Sequence, residues 1–118
     1  MRLAVIAVVA LSGCAGAQGR CWSTTDKVLE TTLGAVMLID AAQTIGVAAD
    51  CKESNPLIGH CGGNVPPAAY FAGLLAIHAA ITHAIPHGTA RTVWQAFGVG
   101  YQVDVIGTNW SAGYRLGF

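Results

Sequence analysis

The chain has 118 residues, of which 53% are hydrophobic and 10% charged, with a mean hydropathy of +0.53 and a formal net charge of zero; that is enough for one domain and too little for two. A soluble domain usually covers its surface with about 25% charged residues, so this balance argues against an ordinary water-soluble globule and for a chain in contact with lipid. The six basic residues are scattered and form no stripe, which excludes a nucleic-acid interface built on phosphate neutralisation.

Met1 and Arg2 give a basic start to an apolar stretch from Leu3 to Leu11, followed by Leu11-Ser12-Gly13-Cys14. The apolar stretch is shorter than the about 20 helical residues a bilayer requires and fits a signal peptide. Leu11 to Cys14 resembles the lipobox of bacterial lipoproteins. That resemblance implies a signal peptide over 1–13, diacylation of the Cys14 thiol, and a lipidated tether over 14–22 with the Trp22 indole at the membrane interface. The competing reading is cleavage after Ala15-Gly16-Ala17, which leaves Gln18 first. Both export the protein to the bacterial cell envelope.

Ser23 reads as an N-cap and Asp26, three residues on, completes a capping box, so a helix is expected over 24–49. Glu30, Leu33, Met37, Asp40 and Thr44 fall at spacings of three and four and share a face. Such an amphipathic helix suits one wall of a membrane bundle or a position along the interface. A loop over 50–66 follows, marked by Cys51, Pro56, Cys61, Gly62, Gly63 and the Pro66-Pro67 pair. From Pro67 to Ile85 the strongly polar residues are His78, Thr82 and His83 alone, and nineteen helical residues would span about 28 Å. Pro86 and Gly88 end that segment. A third helix is expected over 89–108, with Gln95, Gln102 and Asn109 recurring on one face and Asp104 off it. Trp110, Tyr114, Arg115 and Phe118 form an aromatic tail of interfacial character. Strict alternation is sustained nowhere, so no β-barrel is expected. The expected fold class is all-α: a three-helix membrane-associated bundle over 23–118 behind the lipoprotein signal. Three full spans would put the loop on the cytoplasmic side; a surface-lying first helix would put it outside.

Cys21, Cys51 and Cys61 survive either cleavage. In an oxidising compartment Cys51 and Cys61 would close a short loop, with free thiols and metal ligation as alternatives. Ionisable groups within apolar helices are the best functional clue, because they are costly in lipid unless paired or hydrated. Asp40, His78 and Asp104 are the instances. One reading gathers Asp40, Glu53 and His78, with His83 or Asp104 as further members, around a proton or a divalent metal, making an intramembrane metal-dependent hydrolase. The other has these groups hydrogen-bonding across helices and fixing their register. No H-E-x-x-H, nucleophile elbow or phosphate-cradling glycine loop is present, so no catalytic residue is assigned. No cofactor is expected beyond the divalent ion of the first reading.

The stretch from Trp22 to Glu30, the D-x-x-Q-T of Asp40, Gln43 and Thr44, and the E-x-N-P-L-I-G of Glu53, Asn55, Pro56, Leu57, Ile58 and Gly59 resemble a group of small uncharacterised bacterial or prophage-encoded lipoprotein-like helical membrane proteins. Tyr70, Phe71 and His78 continue the pattern, which covers roughly 22–109. The resemblance implies that Asp40, Gln43, Thr44, Glu53, Asn55 and His78 belong to one site or one packing core. The chain departs from the group in carrying Gln102 where an acidic residue is often found, which weakens any metal-ligand role for the third helix. The expected function is that of a lipid-anchored, non-enzymatic envelope protein, partnered by membrane lipid and by itself or another envelope protein. A phage lysis accessory or small pore-former is a further alternative.

Overall fold

The computed structural model describes residues 21–116, so the signal peptide, the lipobox and Cys14 lie outside the described residues. Three helices follow in chain order: α1 over Thr24–Ala49, α2 over Pro67–Ala84 and α3 over Thr89–Ser111. The described residues contain no strand, and the all-α expectation holds with all three helix starts at the expected residues. The third helix runs three residues past its expected end. Its stop is set by Gly113, whose φ of +88° lets Tyr114 N–H turn back to the Asn109 carbonyl at 2.9 Å, a closure that follows the left-handed residue by one position.

α1 begins as its sequence dictates. Ser23 Oγ accepts from the Asp26 amide at 3.1 Å and the Asp26 carboxylate accepts from the Ser23 amide at 2.8 Å, the reciprocal pairing of a capping box. Its far end closes through Lys52 N–H to the Val47 carbonyl at 2.9 Å, with Cys51 in the left-handed region at φ 54°. A cysteine takes the place where glycine is usual, and it is the cysteine bonded to Cys61. Pro67 opens α2, where its missing amide costs nothing.

α1 is the central element. It packs along α3 over much of its length and against α2 over less, while α2 and α3 meet sparingly. Leu33, Met37, Ala41 and Phe71 form the apolar core, with Tyr70, Leu74, Leu75 and Val99 against it. The interior also holds many polar groups. Among the described residues Asp26, Glu30, Asp40, Gln43, Thr44, Thr82, Arg91, Gln95 and Gln102 are buried, nine against eight buried apolar residues. The outside carries Val28, Leu38, Ile39, Ile77, Ile81, Val93 and Phe97. Two sequence expectations are corrected here. Trp22, expected at a membrane interface, is 6% exposed and packs into the bundle. Asp104, expected among the buried ionisable groups, is exposed, as its place off the Gln95–Gln102–Asn109 face requires.

Candidate functional site

The polar interior falls into two clusters at opposite ends of α1. The first surrounds the α1 N-terminus. Arg91, with no exposed surface, lies in the first turn of α3. Its Nη1 donates to Asp26 Oδ2 at 3.1 Å and to the Cys21 carbonyl at 3.0 Å, while its Nε and Nη2 donate to the Ile85 carbonyl at 2.9 and 2.6 Å. The guanidinium thus ties together the start of α1, the end of α2 and the start of α3. An acidic group in the first turn of α1 is also favoured by the helix dipole.

One turn further along α1, Glu30 accepts from His78 Nδ1 at 2.8 Å and from Gln95 Nε2 at 3.0 Å. Gln95 Nε2 also reaches the Asp26 carbonyl at 3.0 Å. Thr82 donates to the His78 carbonyl at 2.8 Å and accepts from the Trp94 indole at 3.1 Å. The His78 ring stacks on Trp94 with centroids 4.8 Å apart and an angle of 15° between planes. Its Nε2 faces the Gly98 Cα, where an added Cβ would lie 2.7 Å from it. Only a glycine lets α3 approach the imidazole so closely.

The second cluster sits where α1, the 50–66 loop, the start of α2 and the second half of α3 meet. Asn109 Nδ2 donates to Asp40 Oδ1 at 3.2 Å and to Gln43 Oε1 at 3.3 Å. Above them the loop is folded by its own sequence. Glu53 accepts from the Asn55 amide at 2.7 Å, and Asn55 Oδ1 accepts from the Leu57 amide at 3.0 Å, an Asx turn with Pro56 at its centre that leads into Ile58. Ile58 is 1% exposed and plugs the loop onto the bundle. Gly59 follows at φ +84°, where a Cβ would strike Asn64 at 2.9 Å. Cys51 and Cys61 are joined as a disulfide, which selects one of the three fates left open for these thiols. Between loop and helices lies a cleft of about 340 Å³, lined by Asp40, Thr44, Glu53, Asn55, Tyr70 and Gln102 among others.

The structure therefore brings Asp40, Gln43, Thr44, Glu53 and Asn55 to one place and leaves His78 elsewhere. His78 is held by Glu30, ten residues and about 15 Å along α1 from Asp40. The reason is helical: His78 lies three full turns beyond the start of α2, which runs away from the loop. His83, four residues short of His87, is exposed. Among the described residues no three His, Cys, Asp or Glu side chains gather as a metal-binding group. The Glu30–His78 pair and the Asp26–Arg91 pair were not singled out from the sequence, although a signal existed. Asp26 and Glu30 continue the inward face of α1 at a spacing of four, and Arg91 stands four before Gln95 on the inward face of α3. α1 and α2 are each long and apolar enough to cross a membrane, while α3 is not among the helices that meet that test. No family model matches the chain, and no curated protein and no solved structure matches it either.

Proposed function

We propose that this chain is a lipid-anchored, non-enzymatic membrane protein of the bacterial cell envelope that acts by associating with its own copies or with another envelope protein. The observation that carries the reading is the inverted distribution of polarity. Arg91, Gln43 and Gln95 have no exposed surface, while Leu38 is 73% and Phe97 66% exposed. In water that arrangement forfeits the hydrophobic contribution of the outer side chains; in lipid it satisfies polar groups internally and puts apolar groups against acyl chains. The apolar character of α1 and α2 supports the same reading. Anchoring through Cys14 rests on the Leu11-Ser12-Gly13-Cys14 sequence.

Intact mass spectrometry of the membrane fraction, comparing wild type with Cys14→Ser, tests the anchor. The expected product begins at Cys14 with added acyl mass that the variant loses. An unmodified chain beginning at Gln18 in the wild type would remove the lipid anchor from the proposal. Cross-linking in the membrane, with and without other envelope proteins co-expressed, tests the association; a chain that remains monomeric under both conditions would contradict it.

A further inference from the structure

We propose that His78 is a proton-operated latch between α2 and α3: uptake of a proton from solvent at its Nε2 parts the two helices at Gly98. His78 Nδ1 donates to Glu30 at 2.8 Å, which selects one tautomer of the neutral ring and leaves Nε2 as a bare lone pair. That nitrogen is buried and has no hydrogen-bond partner. It faces the backbone of Gly98, where a Cβ would lie 2.7 Å away. A lone pair tolerates the weakly polar Cα–H of a glycine. An N–H directed at the same Cα–H has no acceptor, and a buried donor in that state is costly. The closed contact is therefore matched to the unprotonated ring.

The division of contacts among the helices decides which one gives way. Glu30 on α1 holds Nδ1, whereas Gly98 on α3 covers Nε2. A shift of α2 away from α3 keeps the Glu30 bond, and with it the attraction of a carboxylate for an imidazolium, while the new Nε2–H gains a partner in water. The state that supplies that partner binds the proton more tightly, so falling pH draws the population towards it. Little opposes the shift. α2 and α3 meet sparingly, and among the described residues a single hydrogen bond joins them directly, from the Trp94 indole to Thr82 at 3.1 Å. Glu30 is the titratable group that faces His78 from α1, while Trp94 and Gly98, which meet it from α3, carry none. Asp26 and Arg91 pair with each other one turn nearer the α1 N-terminus, with His87 beside Asp26. His60, His83 and His87 are exposed. The latch rests on these contacts alone and not on the membrane reading above.

The test is NMR of the full chain in detergent micelles, titrated from about pH 8 to about pH 5, across the range in which histidine changes charge. Ring nitrogen shifts of His78 read its tautomer and protonation, and cross-relaxation between its ring protons and the Gly98 α protons reads the α2–α3 contact. The expected result is a neutral ring protonated at Nδ1 and in contact with Gly98 at the upper end. At the lower end both nitrogens are protonated and the Gly98 contact is lost, with one midpoint for the two changes. The Trp94 indole N–H signal moves with that midpoint in wild type and is flat in His78→Gln, which keeps a donor for Glu30 and gains no proton. Gly98→Ala, which wedges the contact open, lets the ring take up its proton at a higher pH than in wild type. The proposal is overturned if the ring is protonated at both ends, if it stays neutral until the chain unfolds, or if it gains the proton with the Gly98 contact intact. The wild type alone decides these outcomes. A Trp94 signal that titrates equally in His78→Gln overturns it as well. Because the measurement is made in detergent, failure of the latch is separate from failure of the membrane reading.

Discussion

Arg91 and Gly98 show how single positions on α3 hold the bundle together. Arg91 satisfies Asp26 and two backbone carbonyls from a site without solvent contact, so truncating it strands a buried carboxylate. Arg91→Ala is expected to cost about 3–5 kcal/mol, read by chemical denaturation in detergent. Replacing both partners, as Asp26→Asn with Arg91→Met, should recover the part of that loss that comes from the unpaired carboxylate, while the Cys21 and Ile85 carbonyls lose their donor in both variants. Equal losses in the single and double variants would show that the charge pairing contributes nothing beyond the packing and carbonyl contacts of Arg91. Gly98→Ala places a methyl 2.7 Å from His78 Nε2, and the imidazole is pinned by Glu30 on one side and Trp94 on the other. Overpacking of this kind costs about 1–3 kcal/mol. It should also shift Trp94 fluorescence, and both effects should shrink in a His78→Ala background.

At the scale of elements, the helices were legible because their punctuation is strong. Ser23 with Asp26, the Pro66-Pro67 pair, and Pro86 with Gly88 each leave few backbone alternatives, and the structure places all three helix starts where they point. Inward faces were legible too. The spacing of Glu30, Leu33, Met37, Asp40 and Thr44 buries all five, and the seven-residue recurrence of Gln95 and Gln102 buries both. What the pattern did not settle was which polar residues meet. Asn55 before Pro56 is also plain turn chemistry, and much of the E-x-N-P-L-I-G stretch folds the loop through the Asx turn, the buried Ile58 and the left-handed Gly59. His78 was grouped with Asp40 although the two sit at different heights, because a shared motif says nothing of where antiparallel helices place their turns. The loop carries its own prediction. The Cys51–Cys61 cross-link spans ten residue positions, so Cys51→Ser with Cys61→Ser should lower stability by about 2–3 kcal/mol on the chain-entropy model. Thermal unfolding with and without reductant checks this; a wild type indifferent to reductant would contradict it.

Among the described residues about half of the buried side chains are hydrogen-bonding ones, and many of the large apolar side chains lie on the outside. Two buried polar clusters, one around Arg91 and Glu30 and one around Asp40 and Gln43, bracket the short apolar core of Leu33, Met37 and Phe71. Such a bundle gains its specificity from internal polar contacts, as membrane helices do when lipid removes the hydrophobic driving force between them. α3 differs from its neighbours, since Asp104 lies exposed on it, and it fits best where water or headgroups reach its second half. The most direct test of a lipid-facing exterior is spin labelling at Leu38, Ile77 and Phe97, each as a single cysteine in a Cys21→Ser background with the disulfide intact, in reconstituted bilayers. Collision with oxygen exceeding collision with a water-soluble nickel complex at all three sites is the expected result. Preferential collision with the nickel complex at Leu38 and Ile77 would place these faces in water and contradict the membrane reading.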